Sequence, residues 1–161
     1  MYYLKFTAGQ LFLGSLLLAL SVVAQAQPDL TVGNATTQPG GTVTVPVNFT
    51  NNGEVVAFNF DITYDETLIT GVDLSNCEGN DMDPGGVTCN DPEPGKISIV
   101  VVTFPKAVIS SDQIGTIDFT VAGTAPFAPI TLTVGNENFS DTDSAAVSAG
   151  TLTNGTITVQ P

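Results

Sequence analysis

The sequence predicts an all-β fold, an antiparallel two-sheet β-sandwich with jelly-roll topology and about eight or nine short strands. Three observations predict it. Apolar and polar residues alternate in two stretches: Val43, Val45, Val47 and Phe49 with Thr42, Thr44, Pro46, Asn48 and Thr50, then Val56, Phe58, Phe60, Ile62 and Tyr64 with Ala57, Asn59, Asp61 and Thr63. A period of two marks a strand with one buried and one wet face. The composition favours Val, Thr, Ile, Gly, Asn and Asp, which suit strands and turns better than helices. Short apolar runs are separated throughout by Gly, Pro, Asn and Asp, which break the chain into strands.

Residues 1–26 read as a secretory signal peptide. Lys5 is their only charge, and Leu11 to Val23 is an apolar run of 13 residues. Such a run is too short to span a bilayer, which needs about 20 residues. Ala24-Gln25-Ala26 gives the small-x-small pattern of a cleavage site. The expected mature protein is a single domain, 27–161, secreted to the extracellular space.

Leu30 to Val32 opens that domain as a first strand, and Gly33 to Gly41 reads as a loop. The two alternating strands follow. Asn51-Asn52-Gly53-Glu54 between them is turn chemistry, since Asn and Gly tolerate positive φ, so the two are expected to pair as a hairpin. Leu68, Ile69 and Val72 begin a short apolar segment. From Asp73 to Gly95 periodicity is lost among glycines, prolines and acids, and this stretch reads as an elaborated surface loop. Lys96 to Phe104 is a strong strand that is apolar on both sides: Ile97, Ile99 and Val101 on one, Val100 and Val102 on the other. In a sandwich the outer side should be wet, so Val100 and Val102 imply contact with a loop or a partner. Ser110 to Gln113 suits a short helical turn. Thr116 to Val121 and Ile130 to Val134 are further strands, Asn136 to Gly150 a polar loop, and Thr151 to Val159 the closing strand.

Two cysteines in an exported chain, Cys77 and Cys89, predict a disulfide. All 16 acids follow the leader, opposed only by Lys96 and Lys106, so residues 27–161 carry a net charge of −14. That surface repels nucleic acid and anionic membranes, and neither is expected as a partner. The sequence has no histidine, which removes the usual general base of an acyl-transfer triad and the commonest zinc ligand. No enzyme activity and no cofactor are expected. Asp81/Asp83 and Asp141/Asp143 would suit calcium as clustered carboxylates, but neither pair has the EF-hand spacing, and solvated loop acids are the plainer reading.

With the strands placed, the chain resembles the cohesin domain, most closely its type I group. The resemblance rests on PGGTVTVPVNF (39–49), AFNFDITYD (57–65), Leu68, PGKISIVV (94–101), IGTIDFTVAGTAP (114–126) and a closing strand after Gly150. It spans 29–161. It implies a non-catalytic module of the kind found in cellulosomal scaffold proteins, which docks dockerins, the small calcium-loaded modules carried by secreted polysaccharide-degrading enzymes. It also implies where: an Asn and an Asp two apart on one strand, matched here by Asn59 and Asp61; the outward Val100 and Val102, read from the strand itself, are expected to add apolar area to that face. The Cys77–Cys89 loop departs from the family pattern. A carbohydrate-binding module is the alternative. Sugar platforms need exposed aromatic rings, and here Trp is absent, Tyr64 is the only tyrosine after the leader, and Phe127 and Phe139 are the loop candidates.

Overall fold

A computed structural model describes residues 26–77, 81–82 and 85–161, so the expected leader lies outside the described residues but for Ala26. These residues form thirteen strands and no helix. One sheet has five strands in the order β12-β1-β3-β9-β5: β12 (Leu152–Thr153), β1 (Asp29–Val32), β3 (Thr42–Thr50), β9 (Asp112–Val121) and β5 (Ile69–Asp73). The other has eight, in the order β2-β13-β10-β4-β8-β7-β6, with β11 (Ala146–Val147) paired to β10. Its members are β2 (Asn34–Thr37), β13 (Gly155–Val159), β10 (Pro129–Ser140), β4 (Ala57–Thr63), β8 (Lys96–Thr103), β7 (Gly85–Glu93) and β6 (Asp81–Met82). The sandwich is as expected, with more and shorter strands.

The alternating stretch is not a hairpin. β3 pairs with β1 and β9 in one sheet, and β4 pairs with β10 and β8 in the other. The two strands face each other across the core, where Phe49 stacks on Phe58 with ring centroids 4.3 Å apart and Phe139 closes on both. Asn51 shapes the arch between the sheets. Its Oδ1 accepts the Gly53 and Val55 amides, and its Nδ2 donates to the Val55 and Ile109 carbonyls. Gly53 meets the turn at φ 95°. Alternation says which side of a strand is dry; it does not name the neighbour.

Both ends of the domain switch sheets. β1 and β12 run parallel in one sheet, β2 and β13 run parallel in the other, and all other pairs are antiparallel. The expected loop 33–41 thus contains a strand, and the expected closing strand is two. The crossing is tight: a Cβ on Gly155 would meet the Gly33 carbonyl oxygen and Val32 Cγ1 at 2.5 Å each.

The expected surface loop 73–95 contains β6 and all of β7. β7 pairs with β8 from Gly85↔Thr103 to Glu93↔Lys96, with a bulge near its end. Backbone pairing wins there over a sequence rich in glycine and acid. Cys77 and Cys89 are bonded, both buried, and tie the segment after β5 to β7 across the two sheets. No helical turn forms at 110–113, because β9 begins at Asp112. The expected loop 136–150 starts inside β10, which runs on to Ser140 and buries Phe139.

Candidate functional site

The outer face of the eight-stranded sheet collects the four candidate residues. In β4 the inward side chains are Phe58, Phe60 and Ile62, so Asn59 and Asp61 point outward. β8 lies beside β4 with Asn59 opposite Val100, Ala57 opposite Val102 and Asp61 opposite Ser98. Ile97, Ile99 and Val101 fill the core, which leaves Val100 and Val102 in water at 38% and 51% exposure. A shallow depression of about 160 Å³ lies between the strands, lined by Ala57, Asn59, Val100, Val102, Asn138 and Ser140. One wall is apolar and the other carries amides and a hydroxyl.

The two polar candidates differ in what they offer. Asp61 is only 13% exposed and is held by its own chain. Its Oδ1 accepts the Ser98 hydroxyl at 2.6 Å, and its Oδ2 accepts Asn136 Nδ2 at 2.8 Å and faces Lys96 Nζ at 3.2 Å. Burial pushes its carboxyl upward in pKa, but the bonds from Ser98, Asn136 and Lys96, with the lysine charge, outweigh this and hold it below its ordinary 3.8. Asn59 is exposed, and its Nδ2 lies 3.4 Å from the Asn136 carbonyl oxygen. Asn59 thus presents its amide to solvent, while Asp61 fixes the surface around it.

Asn136 is the site residue that pattern reading missed. β10 bulges between Gly135 and Asn138, which places extra residues opposite Phe60. Asn136 sits in the bulge at φ 53°, a conformation asparagine tolerates. From there it touches both Asn59 and Asp61. An Asn-rich break in alternation (Gly135-Asn136-Glu137-Asn138) was the available signal, and it resembles a loop.

The aromatic candidates for sugar binding separate. Phe139 is 1% exposed in the core, not in a loop, because the bulge resets the phase of β10. Phe127 is 64% exposed. Tyr64 is half-buried, edge-on to Phe119, and lines an open groove with Glu66, Thr67, Thr70 and Asp91. Phe104, which was not a candidate, is 99% exposed. Of the calcium candidates, Asp83 and the Asp81 side chain lie outside the described residues. Asp141 Oδ1 accepts the backbone amides of Asp143 and Ala145.

Solved structures similar to the chain are cohesins. CaCohA2 of Clostridium acetobutylicum, solved in complex with CaDoc0917, is 28% identical, with a TM-score of 0.67 over 83% of this chain and 99% of that one. The seventh ScaB type I cohesin of Pseudobacteroides cellulosolvens is 26% identical, with a TM-score of 0.65 over 83% and 92%. The sixth cohesin of scaffoldin B from Acetivibrio cellulolyticus, solved with a Cel5 dockerin, shares the fold at 22% identity, with a TM-score of 0.66 over 84% and 100%. No curated protein matches the sequence. The family model for the cohesin domain matches residues 28–159, essentially all of the sandwich, and the chain belongs to the cohesin family.

Proposed function

We propose that this chain is a secreted, non-catalytic module that docks a dockerin-type protein on the outer face of its eight-stranded sheet. One observation carries the reading. Val100 and Val102, exposed on the outer side of β8, line the same depression as Asn59. Exposed valines beside hydrogen-bonding amides are the makings of an interface with a dry centre and a polar rim. Membership of the cohesin family, and the similarity to CaCohA2 in its complex, support the class of partner. The disulfide supports export to an oxidising compartment, and the expected leader at 1–26 is consistent with it. The partner's secreted, polysaccharide-degrading context follows from the resemblance to type I cohesins.

The test is capture from the source organism's secreted proteins in calcium and again with chelator. Calcium-dependent retention of a dockerin-bearing protein is expected. Asn59→Ala with Asp61→Ala should weaken that retention by about tenfold or more and leave the circular dichroism spectrum unchanged. Undiminished binding by the double variant would remove these residues from the site. Retention on a polysaccharide resin, with no protein captured in either buffer, would favour direct carbohydrate binding.

A further inference from the structure

We infer that Phe104 is the anchor of the docking face, and that it selects a dockerin-type partner with an apolar pocket rimmed by cationic side chains. The inference rests on the proposed docking role and adds the residue that sets partner choice. Ser98, Val100 and Val102 occupy the outward positions of β8, which ends at Thr103, and Phe104 is the first residue beyond the strand. Exposure rises from 38% at Val100 to 51% at Val102 and 99% at Phe104. The strand that supplies the apolar wall of the depression is thus followed directly by a fully uncovered ring. Phe127, the other strongly exposed aromatic side chain among the described residues, precedes the opposite end of β10.

The loop holds the ring out. Thr103 is buried, and its hydroxyl lies 3.0 Å from the Val56 carbonyl oxygen and 3.1 Å from that of Ala107, while accepting the Ala107 amide at 3.0 Å. Val56 and Ala107 thus close on one hydroxyl at the residue next to Phe104. Lys106 Nζ donates to the Thr142 carbonyl at 3.1 Å and to Ser144 Oγ at 2.6 Å, which clips the loop to the segment after β10. Ile109, fully buried, donates its amide to Val55 at 2.9 Å. A ring on a braced loop loses little freedom on binding, which is what makes an aromatic side chain an effective anchor.

Charge defines the rim of the partner's pocket. Residues 27–161 hold 16 acids and two lysines. Lys96 is paired with Asp61 and Glu93, and Lys106 is engaged by its clip. The clipped segment carries the exposed Asp143. The face thus offers carboxylates, amide oxygens and apolar area, and no uncommitted cation. A partner surface of the same sign is repelled, and one bearing Lys or Arg around an apolar centre is favoured.

The experiment uses the dockerin-bearing protein that the immobilised chain retains from the organism's secreted proteins. Its affinity is measured by calorimetry for wild type, Phe104→Ala, Phe127→Ala and the Asn59→Ala/Asp61→Ala pair. Phe104→Ala should raise Kd about 10- to 100-fold. Phe127→Ala, which removes a ring 64% exposed at the other end, should stay within about twofold. If the Asn59/Asp61 pair weakens binding and Phe104→Ala does not, the docking face stands and the anchor falls. If Phe104→Ala alone weakens it, the anchor stands and the contact moves from β4 to the end of β8. If wild type retains no dockerin-bearing protein, both readings fall. A concentration-dependent dimer in sedimentation that Phe104→Ala dissolves would make the occupant a second copy of this chain and overturn the assigned partner.

Discussion

Asp61 meets three donors from its own chain, and that decides how it responds to acid. Its folded-state pKa lies below the ordinary value of 3.8. A depressed carboxyl contributes stability that is present above the unfolded value and is lost as pH falls through the folded one. The domain should therefore lose stability from about pH 4 downward, partly through this group. Asn136→Gly keeps a residue able to hold φ 53° and removes the donor to Asp61 Oδ2. The expected outcome is an upward shift of the Asp61 carboxyl titration, followed by NMR, and a shallower loss of stability in acid. An unmoved titration would show that Ser98 and Lys96 alone set the group. Asp61 was legible in the sequence as an outward residue. Its entanglement was not, because Ser98 and Asn136 are 37 and 75 residues away along the chain.

Elements show where local pattern stops. β8 was read correctly down to its two faces, since a buried row and an outward apolar row are both written in KISIVVVTF. β7 was not read at all: GGVTCNDPE has little alternation and gains its order by pairing with β8. The same holds at the N-terminal end, where β2, inside the expected loop 33–41, is a strand because it pairs with β13. Their crossing depends on a residue without a side chain. Gly155→Ala would drive a Cβ into the Gly33 carbonyl and Val32. Backbone on one side and a buried valine on the other leave little room to give. The expected cost is about 1–3 kcal/mol in urea unfolding, with no change in the pairing of β8, which lies three strands away. Wild-type stability in this variant would mean that the crossing relaxes freely.

At the scale of the whole molecule, two sheets are joined by core contacts, by the Asn51 arch and by one covalent bond. Cys77 and Cys89 are 12 apart in sequence and belong to opposite sides of the sandwich. Closing a loop of that size restricts the unfolded chain by about 3 kcal/mol. Replacing both cysteines by serine should lower unfolding stability by about 2–4 kcal/mol and loosen hydrogen-exchange protection first along β7. Denatured but unreduced protein should bind no thiol reagent; two labelled cysteines would refute the bond. The acidic surface acts at this scale too, since so many carboxylates of one sign repel any surface of like charge.

By itself the sequence determined the class of fold, the inward and outward faces of β3, β4, β8 and β9, the cysteine pair, and the row of outward residues from which the candidate site is drawn. These are properties of period and composition, which need no partner to be defined. Tertiary structure alone decided that β3 and β4 face each other across the core, that the glycine-rich stretch becomes β7, that Phe139 is core, and that Phe104 stands clear of the protein. Each depends on which strands become neighbours, and backbone hydrogen bonding satisfies almost any sequence that lies alongside it. Alternation specifies a face; only the assembled sheets specify what that face meets.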